Sequence, residues 1–175
     1  NEFNYTYQQF SLGHEHLRDI YNREVKFGVR DSTPLGFLGG NLFVWGNELT
    51  SYINSRLTKM TFTEIYHRFS FLQYGPDGVV PALTSRDGQY NSVGLHHRYY
   101  FSDYSRYVFG GYEIQQAAAR GDNFDRFGEV FQTGFHTPLV GKLEFDFIGS
   151  LAVNNYYHYS ASLVPTEPLA RLDND

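Results

Sequence analysis

The sequence predicts an all-β fold, an antiparallel up-and-down β-barrel of about eight strands or part of a larger barrel. Three observations carry this prediction. First, apolar and polar residues alternate over long runs. From Gly141 to Ser160 one set is Leu143, Phe145, Phe147, Gly149, Leu151 and Val153. The interleaved set is Glu144, Asp146, Ile148, Ser150, Ala152, Asn154, Tyr156, His158 and Ser160. A strand sends successive side chains to opposite faces, so this pattern makes one oily face and one mostly polar face. Second, these runs far exceed the roughly five or six residues usual for strands of globular proteins. Third, aromatic content is 18%, with 15 Tyr and 16 Phe, while Gly is plentiful and Pro sparse. Aromatic residues suit a pleated surface.

Taken in chain order, the first strand is expected in EFNYTYQQFSL, with Phe3, Tyr5 and Tyr7 opposite Asn4, Thr6 and Gln8. In REVKFGVRD, Val25, Phe27 and Val29 oppose Glu24, Lys26, Gly28 and Arg30. GGNLFVWG is apolar on both faces, as a buried strand is. The fourth strand lies within TKMTFTEIYHRFSFLQY, where the alternation slips as a β-bulge makes it do. QYNSVGLHHRYYF sets Val93, Leu95, Tyr99 and Phe101 against Ser92, Gly94, His96 and Arg98. RYVFGGYEIQQ sets Val108, Tyr112 and Ile114 against Glu113 and Gln115. FDRFGEVFQTGFH aligns Phe127, Phe131 and Phe135, and the Gly141–Ser160 run is the eighth strand.

Tight turns are expected near Thr33–Pro34, Asp103 and Pro138. Longer links are expected at Gly13–Asn22, Asn47–Lys59, Gly75–Gln89 and Ala117–Asn123, and after Ser160. This spacing places three strands between the turns near Pro34 and Asp103. Strict alternation of short and long connections needs an even number, so either Leu49–Leu57 is a further strand or one turn is on the other side.

The chain reads as a single domain over residues 1–175, with the terminal segment 161–175 loop-like. It begins at Asn1 without a leader and stops in the polar VPTEPLARLDND, so a fragment or isolated domain of a longer protein is expected. A net charge of −5 argues against a nucleic-acid surface. The absence of cysteine removes disulfides and cysteine-bearing metal sites. No apolar run reaches the length of a membrane helix, and a transmembrane β-barrel leaves none to find, because its lipid-facing residues alternate with inward ones.

Alternation leaves two orientations open. A soluble lipocalin-like barrel or β-sandwich turns the oily face inward around an apolar ligand. A membrane barrel turns it toward lipid, and three features favour that reading, one being that a closed soluble core of this many Phe and Tyr needs somewhere to put their bulk. The polar set carries charges of both signs, which pair across a lumen. The residues expected to line it are Lys26, Arg30, His96, Arg98, Glu113, Glu144 and Asp146. Those expected to face lipid are Val93, Leu95, Phe131, Phe135, Leu143, Phe145, Phe147, Leu151 and Val153. Tyrosines also gather at strand ends, where an apolar ring with a wet tip settles at the membrane interface. Tyr99, Tyr104, Tyr107, Tyr157 and Tyr159 are the expected interfacial set.

On GLHHRYYF and GGYEIQQ, with the short turns and the loop GDNFD between strands, the stretch Tyr90–Tyr159 resembles the barrels of Gram-negative outer-membrane proteins. In texture it is similar to barrels that follow helical repeat domains in envelope and exopolysaccharide export proteins. The resemblance implies class, fold and location in the bacterial outer membrane. It implies outer-membrane lipid as surroundings, polysaccharide or another polar solute as cargo, and a periplasmic domain or partner outside this chain. Two departures stand out: the chain ends Asn174–Asp175 rather than in an aromatic-terminated strand, and it has no helical repeats.

Catalytic spacing is confined to His158 and Ser160 in NYYHYS, which share a strand face. The pair resembles the His-x-Ser of outer-membrane deacylases and phospholipases, which implies a lipid hydrolase. Here Ser160-Ala161-Ser162 stands where those enzymes continue into Asn. His14-Glu15-His16 reads as a solvated loop rather than a metal site, which needs more ligands, and GDNFD lacks calcium-loop spacing. No cofactor and no metal is expected. The leading expectation is therefore a non-enzymatic outer-membrane barrel, acting as pore, export channel or membrane anchor for a polar polymer or solute.

Overall fold

The computed structural model describes residues 5–75, 87–101, 104–120, 124–139 and 143–157, with the backbone of 160–161 and 168–169. Eight long strands follow one another: β1 (Tyr5–Ile20), β2 (Arg23–Leu38), β3 (Asn41–Thr58), β4 (Thr61–Tyr74), β5 (Gly88–Tyr100), β6 (Tyr107–Ala119), β7 (Arg126–Pro138) and β8 (Glu144–Tyr156). Each pairs antiparallel with the next, so sheet order is chain order and the topology is up-and-down. β1 and β8 do not pair with each other, and the sheet is open between them. A two-residue ladder, β9 (Ser160–Ala161) with β10 (Pro168–Leu169), joins Ser160, expected to end the eighth strand, to the segment 161–175 expected to be loop-like.

The strand count agrees with the sequence, but several boundaries do not. Thr33 and Pro34, expected in a tight turn, lie inside β2. Proline has no N–H to donate, and the ladder to β3 lapses there, between Ser32↔Glu48 and Leu35↔Trp45. The turn is instead Gly39–Gly40, where φ of 58° and 84° suits residues without a Cβ. Gly13–Ile20, expected in a long link, completes β1, and a two-residue turn of Tyr21 and Asn22 follows, with φ of 51° and 60°. Likewise Asn47–Thr58 belongs to β3, so Leu49–Leu57 is the continuation of a strand rather than a separate one. Three strands still separate the Gly39–Gly40 turn from the β5–β6 connection, so the two lie at opposite ends of the sheet. Alternation of short and long connections does not hold, since the first three hairpins all close in two residues. The slip expected within the fourth strand lies elsewhere: β4 pairs with β5 without interruption, while register shifts occur at Gly36/Phe37 and between Ser55 and Thr58.

Register divides the sheet into two faces. One hydrogen-bonded level crosses all eight strands as Glu15, Gly28, Tyr52, Tyr66, Gly94, Glu113, Val130 and Ala152. Every buried residue of the described strands lies on this polar face, and most are small: Gly28, Ser32, Gly36, Gly46, Ser70, Gly88, Ser92, Gly94, Ala117, Gly128 and Gly134. Small residues let the large side chains of neighbouring strands lie down across them. In β1 the faces are the reverse of the sequence reading. Tyr7 pairs with Gly36 on the polar face, and Phe10 and Leu12 supply the apolar one.

The opposite face is apolar and exposed, with Phe27, Val29, Leu49, Ile53, Ile65, Val93, Leu95, Ile114, Phe131 and Phe135 all open to the surroundings. Its apolar stripe is slanted. On β1 it centres between Phe10 and Leu12, and on β8 it centres near Gly149, between Phe145 and Val153. Pairing carries the level of Gly149 through Thr133, Gly110, His97, Thr63, Ser55 and Val25 to Arg18. The stripe therefore drifts by about one residue per strand, which at ordinary strand rise and spacing is a slope of about 35°.

Candidate functional site

The polar face is organised around two tyrosines that are cross-strand partners, Tyr52 on β3 and Tyr66 on β4. They lean apart. The Tyr52 ring lies over Gly28 of β2, and its hydroxyl donates to Glu15 on β1. The Tyr66 ring lies over Gly94 of β5, and its hydroxyl donates to Glu113 on β6. Each ring also carries a guanidinium, Arg30 at 5.8 Å from Tyr52 and Arg68 at 5.3 Å from Tyr66. The result is two Tyr–Gly–Glu–Arg clusters, each tying together strands that are not neighbours in the sheet. A Cβ at Gly28 or Gly94 would occupy the space of the ring, so neither cluster forms with a larger residue there.

The second cluster extends into a network. Glu113 accepts from Gln115 Nε2 at 2.6 Å and lies 4.0 Å from Arg68 Nη1. Arg68 Nε is 3.8 Å from Glu48, which accepts from the Ser70 hydroxyl at 3.2 Å. These groups border a cleft of about 300 Å³ that also includes Tyr90, Ser92 and Arg126. Two carboxylates and two guanidiniums make it suited to a neutral or mixed-charge polar solute rather than an apolar one.

A second cleft, about 350 Å³, opens on the same face toward the β1–β2, β3–β4 and β5–β6 turns. Lys26, Arg56 and Arg98 line it with Glu24, Asn54, Phe62 and Tyr100. Arg98 is held against the Phe62 ring at 5.7 Å and the Tyr107 ring at 5.6 Å. Beyond it, His136 Nδ1 and Asp146 pair at 2.8 Å, and the imidazole stacks on Tyr107 at 5.0 Å.

All seven residues assigned to a lumen by sequence share this polar face: Lys26, Arg30, His96, Arg98, Glu113, Glu144 and Asp146. They fall into separate groups rather than one site. Lys26 and Arg98 share the second cleft, Glu113 belongs to the Tyr66 cluster, and Arg30 to the Tyr52 cluster. His96 lies over Gly111, Asp146 pairs with His136, and Glu144 is exposed at the start of β8. The residues assigned to lipid, Val93, Leu95, Phe131, Phe135, Phe145, Phe147, Leu151 and Val153, share the apolar face, and Leu143 flanks β8. Phe145, Phe147 and Leu151 are 45%, 51% and 61% exposed, so they do not form the common core that a lipocalin-like barrel requires.

Of the tyrosines, Tyr99 and Tyr157 are exposed, and Tyr104 is exposed in the β5–β6 connection with φ of 55°. Tyr107 lies on the polar face, stacked on His136. Tyr159 and the candidate dyad member His158 lie outside the described residues, as does the Ser160 side chain. His14 and His16 are in a strand, not a loop, on the apolar face, while Glu15 points to the polar one, so the tripeptide does not present three ligands to one point.

No protein-family model, curated protein or solved structure matches this chain. Its functional reading therefore rests on its own geometry. The sequence singled out Glu15 only within His14-Glu15-His16, and Glu48, Tyr52, Tyr66 and Arg68 not at all. The signal was present as Glu64, Tyr66, Arg68 and Ser70 at steps of two, hidden because Tyr was counted with the oily residues and Asn47–Lys59 with the links.

The apolar face has its own polar inclusions. Tyr112 donates to Glu129 at 3.0 Å, and His14, His16, Ser51 and His67 border a shallow depression of about 520 Å³ among Phe27, Ile53 and Ile65.

Proposed function

We propose that the chain is a membrane-spanning β-barrel of the bacterial outer membrane, or part of a larger one, whose polar face borders a passage for a polar polymer or solute. Its work is passage or anchoring rather than catalysis. The observation that carries this reading is the slanted apolar stripe on the face opposite the buried polar one. In water such a face is a liability, because large exposed apolar patches drive association. In lipid it is required, and strands of membrane barrels tilt by about 35–45°, so a band level with the membrane crosses them obliquely. The slope read from the register, about 35°, falls in that range.

The strands are long enough for the role. Even the shortest have 13 residues, about 43 Å of extended chain, against a hydrocarbon core of about 30 Å. The free edges of β1 and β8 have backbone groups that must be satisfied in a membrane, by each other or by further strands. Closure as eight strands leaves an interior filled by side chains and favours an anchor. Closure with further strands leaves a lumen, and the two clefts are then its lining.

The test is refolding from denaturant into detergent, dilution into phospholipid vesicles, and flotation, followed by conductance in planar bilayers. Flotation with the vesicles, with or without conductance, is expected. A chain that is monodisperse in detergent-free buffer and stays at the bottom of the gradient contradicts the proposal.

A further inference from the structure

We infer that the cleft at the turn end of the polar face binds the anionic group of an acidic sugar, a ligand class that rests on that face bordering a passage. Lys26, Arg56 and Arg98 converge on the cleft from β2, β3 and β5. Among the described residues, none of these three side chains forms an ion pair or hydrogen bond. The contrast with Arg68, set between Glu48 and Glu113, is direct. Three acids are nearby. Glu24 lines the cleft, Asp19 on β1 is the cross-strand partner of Glu24, and Glu64 accepts from Asn54 Nδ2 at 3.5 Å outside it. The lining thus presents three cations against one carboxylate.

Gathering like charges in a concave site raises the local potential and favours an anion between them. Arg98 is held by its two aromatic neighbours, so its geometry is set before a ligand arrives. A guanidinium held on ring faces keeps its edge N–H groups for a bidentate carboxylate, sulfate or phosphate. Asn54 and Tyr100 add groups that hydrogen-bond hydroxyls, which a bare inorganic anion does not use. At about 350 Å³ the cleft is at the small end of ligand sites, the size of a sugar unit rather than a lipid tail.

Titration calorimetry on the chain refolded in zwitterionic detergent tests the site with three probes: tetragalacturonate, neutral maltotetraose and inorganic phosphate. Tetragalacturonate is expected to bind at least tenfold tighter than either of the others, and less tightly as salt rises. The Lys26→Gln/Arg56→Gln/Arg98→Gln variant is expected to lose at least tenfold in affinity, and Arg56→Gln alone a few-fold, while Arg120→Gln at the far end of the sheet binds as wild type. Equal binding of the neutral sugar, phosphate binding as tight as tetragalacturonate, or undiminished binding by both the triple and single variants overturns the inference. Vesicle flotation of the same preparation separates the two readings: a chain that floats but does not bind loses the site, and one that binds but does not float loses the passage.

Discussion

Gly94→Ala is the sharpest probe of the polar face. The added Cβ would fall within the Tyr66 ring, which is buried and flanked by the His96 ring and the Arg68 guanidinium, each at 5.3 Å. Overpacking of this kind costs about 1–3 kcal/mol. If the ring is expelled, its hydroxyl leaves Glu113, whose side chain is only 12% exposed. Loss of a hydrogen bond to a charged group adds about 1.5–3 kcal/mol. Alanine recovers about 0.5–1 kcal/mol through its lower entropy in a strand. The expected net loss is therefore about 2–5 kcal/mol. Urea unfolding of the refolded chain in detergent measures it, with Gly110→Ala as control, because nothing lies within 4 Å of a Cβ at that position. A double-mutant cycle with Tyr66→Ala should show that most of the Gly94→Ala penalty disappears once the ring is gone. A Gly94→Ala protein within about 0.5 kcal/mol of wild type, or a penalty unchanged by Tyr66→Ala, refutes the cluster as described.

Two further predictions use the same preparation. Leu95→Arg places a cation near the middle of the apolar stripe and should weaken folding into vesicles by about 2–4 kcal/mol, read by urea titration in lipid; an unchanged midpoint contradicts a lipid-facing position. Gly39→Ala puts a Cβ on a residue with φ of 58° and should cost about 1 kcal/mol, whereas Gly39→Asn should cost much less; equal effects of the two would dismiss the left-handed turn.

Strand number, strand type and the two-face pattern were legible because period-two alternation is local. It held where one face keeps a run of oily residues, as in Val25, Phe27 and Val29 of β2 and in β5, β6, β7 and β8. It failed where both faces carry polar residues. The second half of β1, with His14, His16 and Arg18 on one side and Glu15 and Asp19 on the other, offers no apolar face, so it reads as a loop. Pro34 misled for a different reason: it punctuates sequence, yet it is harmless in a strand whose ladder lapses beside it. The charged residues of the polar face were visible individually. Their grouping was not, because Tyr52 joins Glu15 across 37 residues and Tyr66 joins Glu113 across 47, and register alone decides which levels meet. Nor does alternation state which face is buried. The crowding of Gly, Ser and Ala on the polar set was the available clue, since small residues mark where neighbouring backbones and rings come close.

Because the chain has no cysteine, single cysteines can be placed at Asp146, Phe147, Leu151 and Ala152 without interference. Spin labels at these sites, in protein refolded into vesicles, report contact with oxygen dissolved in lipid or with a water-soluble nickel chelate. Labels at 147 and 151 should be reached by oxygen and shielded from nickel, and labels at 146 and 152 should show the reverse. Equal accessibility at all four sites, or oily positions that nickel reaches first, would mean that the phenylalanine side of β8 does not meet the bilayer.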